Sequence, residues 1–107
     1  MGKIEKIGKL AEKGKAEKIV AFVRDKDKQV SLAAITALGK MADNEDAKNT
    51  LVSMVENEDA DIRRAAVTSL GAASGSYVET RLRYCLANEK DPQVLAALRK
   101  ALEGMKK

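Results

Sequence analysis

The chain has 107 residues, with 20 Lys/Arg against 16 Asp/Glu, a formal charge of +4 and no histidine. That length makes one domain, which buries about two thirds of its unfolded surface on folding. Without histidine the commonest general base and metal ligand is missing. Cys85 stands alone and cannot form an internal disulfide.

A single cysteine fits a reducing, cytoplasmic setting. Ala, Leu, Lys and Glu dominate and proline occurs once, a composition that reads all-α. The start is Lys-rich and lacks the apolar run of a secretory signal. The longest uncharged stretch, Ala65 to Val78, is too short and polar to span a bilayer, so no membrane partner is expected. Residues 1–28 carry nine Lys/Arg and five Asp/Glu, whereas residues 29–107 carry eleven of each. The positive excess therefore sits at one end.

Residues 3–12 read as a short helix with Ile4, Ile7, Gly8 and Ala11 on one face. Its other faces carry Lys and Glu, as solubility requires of a terminal unit with no neighbour on one side. Residues 15–24 read as its partner helix, with Ile19, Val20, Phe22 and Val23 inward. A helix over 28–42 follows. Asp43 or Asn44 can cap the next one, over 45–56, which turns Leu51, Val52, Met54 and Val55 inward. Residues 60–73 form another helix, and Ser74-Gly75-Ser76 breaks it. Ser76 and Glu79 have the spacing of a capping box. The helix expected over 77–88 buries Val78, Leu82, Cys85 and Leu86, and the last runs over 92–105.

Three of these helices are copies of one another. Asp27, Val30, Ala33, Ala34, Leu38 and Gly39 recur 32 residues later as Asp59, Ile62, Ala65, Ala66, Leu70 and Gly71. They recur again, less fully, as Asp91, Val94, Ala97, Leu98 and Leu102. A fixed period of this length marks a repeat architecture. Asp is a good N-cap and Pro92 suits a first helical position, so each copy opens with an Asp-capped helix. The first helix is a truncated copy: Ile7-Gly8-Lys9-Leu10-Ala11 echoes Leu38-Gly39-Lys40-Met41-Ala42.

The pattern Asp-x-x-Val-Arg-x-x-Ala, then Leu-Gly, then a second helix, resembles the short HEAT-like repeats first associated with phycobilin lyases. Asp59, Ile62, Arg63, Ala65, Ala66, Leu70 and Gly71 fit it well; Ser31 and Leu95 replace the arginine in the other copies, and Glu103 replaces the glycine. The resemblance implies an all-α α-solenoid, a right-handed superhelix of antiparallel helix pairs with about seven helices. First helices would line the convex face and second helices the concave one. The units would be 1–24 as a truncated cap, 25–57 and 58–89 as repeats, and 90–107 as a half repeat. In the family the arginine commonly reaches acidic loop residues of an adjacent repeat, here Asp27, Asp59 or Asp91, so Arg63 is expected to be structural.

Gly39 and Gly71 are expected to let a neighbouring helix approach or to ease a helix end. Cys85 lies in the column of Phe22 and Met54 and reads as a small buried hydrophobe. No acid pair sits in an apolar segment, and there is no phosphate loop or metal-ligand spacing, so no catalytic residue, cofactor or metal is expected. The expected function is a protein-interaction scaffold that binds a partner protein or peptide on its concave groove. Candidate contacts are Tyr77, Arg81, Tyr84 and Asn88, a stripe opposite the buried face of its helix, with Asn49, Ser53, Lys18 and Ala21 at matching positions. Tyr and Arg are the residue types that most often carry interface energy. The alternatives are nucleic-acid binding through the Lys-rich first 18 residues and, by family analogy alone, an accessory role to a lyase-type enzyme. The final helix has no partner helix after it, so a weak homodimer through Leu95, Leu98, Leu102 and Met105 is also expected.

Overall fold

Asp27, Asp59 and Asp91 set the frame of the molecule. In the computed structural model, which describes residues 2–73 and 75–105, each side chain accepts a hydrogen bond from the backbone N–H two residues on. The acceptor distances are 2.9 Å to Gln29, 2.8 Å to Asp61 and 2.9 Å to Gln93. Asp59 and Asp91 also accept from Ile62 and Val94, three residues on. Donors that have no partner inside the helix are thus satisfied at each start.

Seven α-helices are present among the described residues, and no strand. They are α1 (Lys3–Glu12), α2 (Ala16–Ile19), α3 (Lys28–Gly39), α4 (Glu45–Met54), α5 (Ala60–Leu70), α6 (Ser76–Asn88) and α7 (Pro92–Met105). The odd-numbered helices form one layer, each packed on the next. The even-numbered helices form a second layer behind it. The molecule measures 40 × 26 × 16 Å, with the long axis of an α-solenoid.

The core lies between the layers. Ile19, Ile35, Leu38, Leu51, Met54, Leu70, Leu82 and Leu98 are fully buried there. Each comes from the apolar stripe of its own helix, and no helix could cover that stripe alone.

Four local expectations change. The helix expected over 15–24 is one α-helical turn, Ala16–Ile19, continued by a 3₁₀ turn over Val20–Phe22. Branched Ile19, Val20 and Val23 favour helix weakly, and the buried Ser31 hydroxyl donates to the Val23 carbonyl, which fixes the chain there. The helices expected to reach 42 and 73 end at Gly39 and Leu70. After Gly39 the chain tightens into turns, with Met41 N–H donating to Leu38 O and Asn44 N–H to Met41 O. Of the two candidate caps before α4, Asn44 does the capping, accepting from Ala47 N–H at 3.0 Å.

The fourth change concerns the start of α6. Ser76 is the first helical residue rather than the cap, and no side chain caps the helix. Gly75 holds the cap position with φ 113°, a conformation that side chains rarely adopt. Glu79, freed from any capping role, pairs with Arg83 one turn on at 2.8 Å. Ser74 lies outside the described residues.

The two layers are held together by different means. In the first layer helices approach closely: a Cβ on Gly39 would stand 2.7 Å from the Ser69 side chain, and one on Gly71 would stand 3.8 Å from the Ala101 Cβ. In the second layer long polar side chains bridge the gap. Arg24 donates to Ser53 Oγ and Met54 Sδ, each at 3.3 Å, and Arg81 pairs with Glu56.

Candidate interaction surfaces

A second periodic column lies two residues before each capping aspartate. Asp25, Asn57 and Glu89 each accept, through a side-chain oxygen, the backbone N–H of Asp27, Asp59 and Asp91, at 2.8, 2.9 and 3.0 Å. The column has the same 32-residue spacing in the sequence, but its residue type changes from copy to copy, so it does not stand out as a repeat position. It decides the role of Arg63. That guanidinium forms two parallel bonds to the Glu89 carboxylate, at 2.8 and 2.9 Å, and donates to the carbonyls of Asn57 and Glu58. The arginine therefore does reach the loop that leads into the next repeat, but its acid is Glu89 and not a capping aspartate. The capping carboxylates are already aimed at their own helix starts. The Arg63 guanidinium holds the Glu89 carboxyl below its usual range, against the opposing effect of burial.

Other ion pairs repeat the theme of linking neighbouring units. Lys3 pairs with Asp25 at 2.7 Å, and Lys28 pairs with Asp61 at 2.6 Å and Asp59 at 3.1 Å. Cys85 is buried, and desolvation pushes its thiol above the ordinary value. A thiol held neutral is a poor nucleophile. Among the described residues no group of three His, Cys, Asp or Glu could hold a metal ion, and no helix is long and apolar enough to cross a membrane.

The stripe on α6 stands on the second layer. Tyr77 is 58% exposed and Tyr84 56% exposed. Arg81, between them, is half-buried. Its guanidinium carbon lies 5.9 Å from the centroid of the Tyr84 ring, and its far end is tied to Glu56. The Arg81 Nε–H is buried and has no acceptor among the described residues. Asn88 Nδ2 donates to the Tyr84 carbonyl at 2.9 Å. From the neighbouring helices come exposed Asn49 and Ser53 of α4, exposed Lys18 of α2 and Ala21 of the 3₁₀ turn. Ser53 Oγ donates to the Thr50 carbonyl and receives Arg24. Two tyrosines are thus presented on either side of an arginine that is already paired with Glu56.

The last helix differs from expectation. Leu98 and Leu102, at 0% and 5% exposure, are buried within the domain and have no area left for a second copy. The reason is that α7 packs on α5 and α6 together, so α6 covers the stripe that a following helix was expected to cover. Leu95 and Met105 remain half-buried.

Residues 16–103 match the family model of HEAT repeats. No curated protein matches the chain.

Proposed function

Because the chain belongs to the HEAT-repeat family, we propose that it is a non-catalytic scaffold that holds a partner protein or peptide against its second helix layer. HEAT repeats commonly serve as protein-interaction scaffolds, since stacked helix pairs build extended rigid surfaces. The observation that carries the reading is the pair of exposed tyrosines, Tyr77 and Tyr84, flanking Arg81 on α6. An aromatic ring held by a neighbouring guanidinium loses little conformational freedom on binding and still offers a large apolar area. A reducing, cytoplasmic setting suits the single buried thiol. The Lys-rich end supports nucleic-acid binding less well: Lys3 is already paired with Asp25, and no stacking aromatic accompanies the lysines.

The test compares wild type with Tyr77→Ala/Tyr84→Ala as affinity baits in an extract of the source cell. Proteins retained by wild type and lost from the double variant, with helicity unchanged, support the stripe. Equal retention by both baits removes it.

A further inference from the structure

The outer face of the first layer carries a larger concavity than the α6 side. A groove of about 880 Å³ crosses α3, α5 and α7, and a second hollow over α1 and α3 shares Leu32 and Thr36 with it. Small side chains cause it. Ala65, Ala97 and Ala101 leave the surface between the first-layer helices low. Half-buried Leu32 lines both hollows as an apolar anchor, and exposed Ile4 borders the hollow over α1 and α3.

The rim is unbalanced in charge. Asp61, a carboxylate on the groove, is already neutralised by Lys28 at 2.6 Å. Arg64 and Lys100, on α5 and α7, form no ion pair among the described residues; Arg64 donates only to the neutral amide oxygen of Gln93, at 3.1 Å. The groove thus joins an apolar floor to two uncompensated cations.

We propose that this groove docks an amphipathic helix of a partner protein, with its apolar stripe on Leu32, Ala65 and Ala97 and its carboxylates toward Arg64 and Lys100. The surface is made of helix sides and offers no free strand edge. An extended peptide would leave its backbone groups unmatched there, whereas a helix satisfies its own and settles ridge into groove. With the hollow over α1 included, the four first-layer helices, about 8–10 Å apart, make a row about 24–30 Å across, which a helix of about 18 residues, some 27 Å long, crosses. The proposal rests on the scaffold reading but on no residue of the α6 stripe.

The experiment displays helix-forming peptides of that length, with a fixed apolar stripe and flanking positions drawn from Glu, Lys and Gln. They are selected on the full chain. Enrichment of Glu is expected, and the winning peptide should lose at least about tenfold in affinity for Arg64→Glu/Lys100→Glu, because both surface charges are reversed. A Lys-flanked version should regain binding to that variant. Tyr77→Ala/Tyr84→Ala should bind the peptide as wild type does, which separates failure of this groove from failure of the α6 stripe. Circular dichroism verifies folding of each variant. Absence of enrichment, enrichment of Lys or Gln, or unchanged affinity in the charge-reversed protein overturns the proposal. Self-association of wild type that Arg64→Glu/Lys100→Glu abolishes also overturns it, since the occupant would then be a second copy.

Discussion

Arg63 and Glu89 form a two-bond ion pair, at 2.8 and 2.9 Å, that fastens helix α5 to the loop in front of α7. Glu89 is the more enclosed partner, with 7% of its side chain exposed against 19% for Arg63. The same guanidinium also satisfies two backbone carbonyls at the entry to α5. One side chain thus ties α5, the loop before it and the loop before α7.

Removing it should be costly. Arg63→Ala leaves an enclosed carboxylate and two carbonyls without their donor, and should lower the unfolding free energy by about 2–4 kcal/mol. Arg63→Lys should recover only part of this, because an ammonium cannot make the parallel pair of bonds. Urea denaturation of the three proteins checks both statements; an Arg63→Ala midpoint equal to wild type refutes them.

The acid limb of stability should follow the same pair. The Arg63 guanidinium lowers the folded Glu89 carboxyl below 4.5, Lys3 lowers Asp25 below 3.8, and Lys28 lowers Asp59 below 3.8. A folded value below the unfolded one adds stability that is present above the unfolded value and lost as the pH falls through the folded one. Stability should therefore hold down to about pH 5 and fall below it. Glu89→Gln should be less stable at pH 7 but decline less steeply in acid. A wild-type stability curve that is level between pH 6 and 3 would contradict this.

At the alkaline end Cys85 contributes. Burial raises its folded value above 9.0, so the folded state keeps a proton that the unfolded chain releases. Stability should decline as the pH rises past about 9, and Cys85→Ala should remove that component. In the native protein an alkylating reagent should react with Cys85 at least about tenfold more slowly than with an exposed thiol, since the thiolate is scarce and enclosed. Labelling at the free-thiol rate without denaturant would show that the site opens readily.

Gly39 and Gly8 should respond to the same substitution with opposite signs. A Cβ at Gly39 meets Ser69 Cβ and Oγ at 2.7 Å and the Ser69 Cα at 3.2 Å. The backbone of α5 cannot yield cheaply, so Gly39→Ala should cost about 1–3 kcal/mol. Ser69→Gly in the same chain should restore part of the loss, because it removes the obstructing atoms. Gly8 lies within α1 and a Cβ there meets nothing within 4 Å. Gly8→Ala should therefore stabilise by about 0.5–1 kcal/mol through helix propensity. Thermal unfolding of the three variants and wild type decides the matter; a Gly39→Ala protein as stable as wild type would remove the close approach as a constraint.

The sequence by itself determined the period, the starts of the three Asp-capped helices and the buried faces. Asp27, Asp59 and Asp91 lie 32 residues apart because each repeat must solve the same local problem, an N-terminus with unpaired N–H groups. Val30, Ile62 and Val94 are buried because helical spacing places them on one stripe. Both effects act within a few residues and can be read along the chain. The exposure of Tyr77 and Tyr84 was legible for the same reason, as the face opposite Val78, Leu82 and Cys85. Only the tertiary structure decided what meets across units. That Arg63 finds Glu89, that Arg81 is tied to Glu56, that Leu98 and Leu102 are enclosed, and that a groove opens over Ala65 and Ala97 all depend on the spacing between helices. That spacing is set by side chains far apart in sequence, such as Gly39 against Ser69, and no local pattern encodes the distance at which two packed surfaces come to rest.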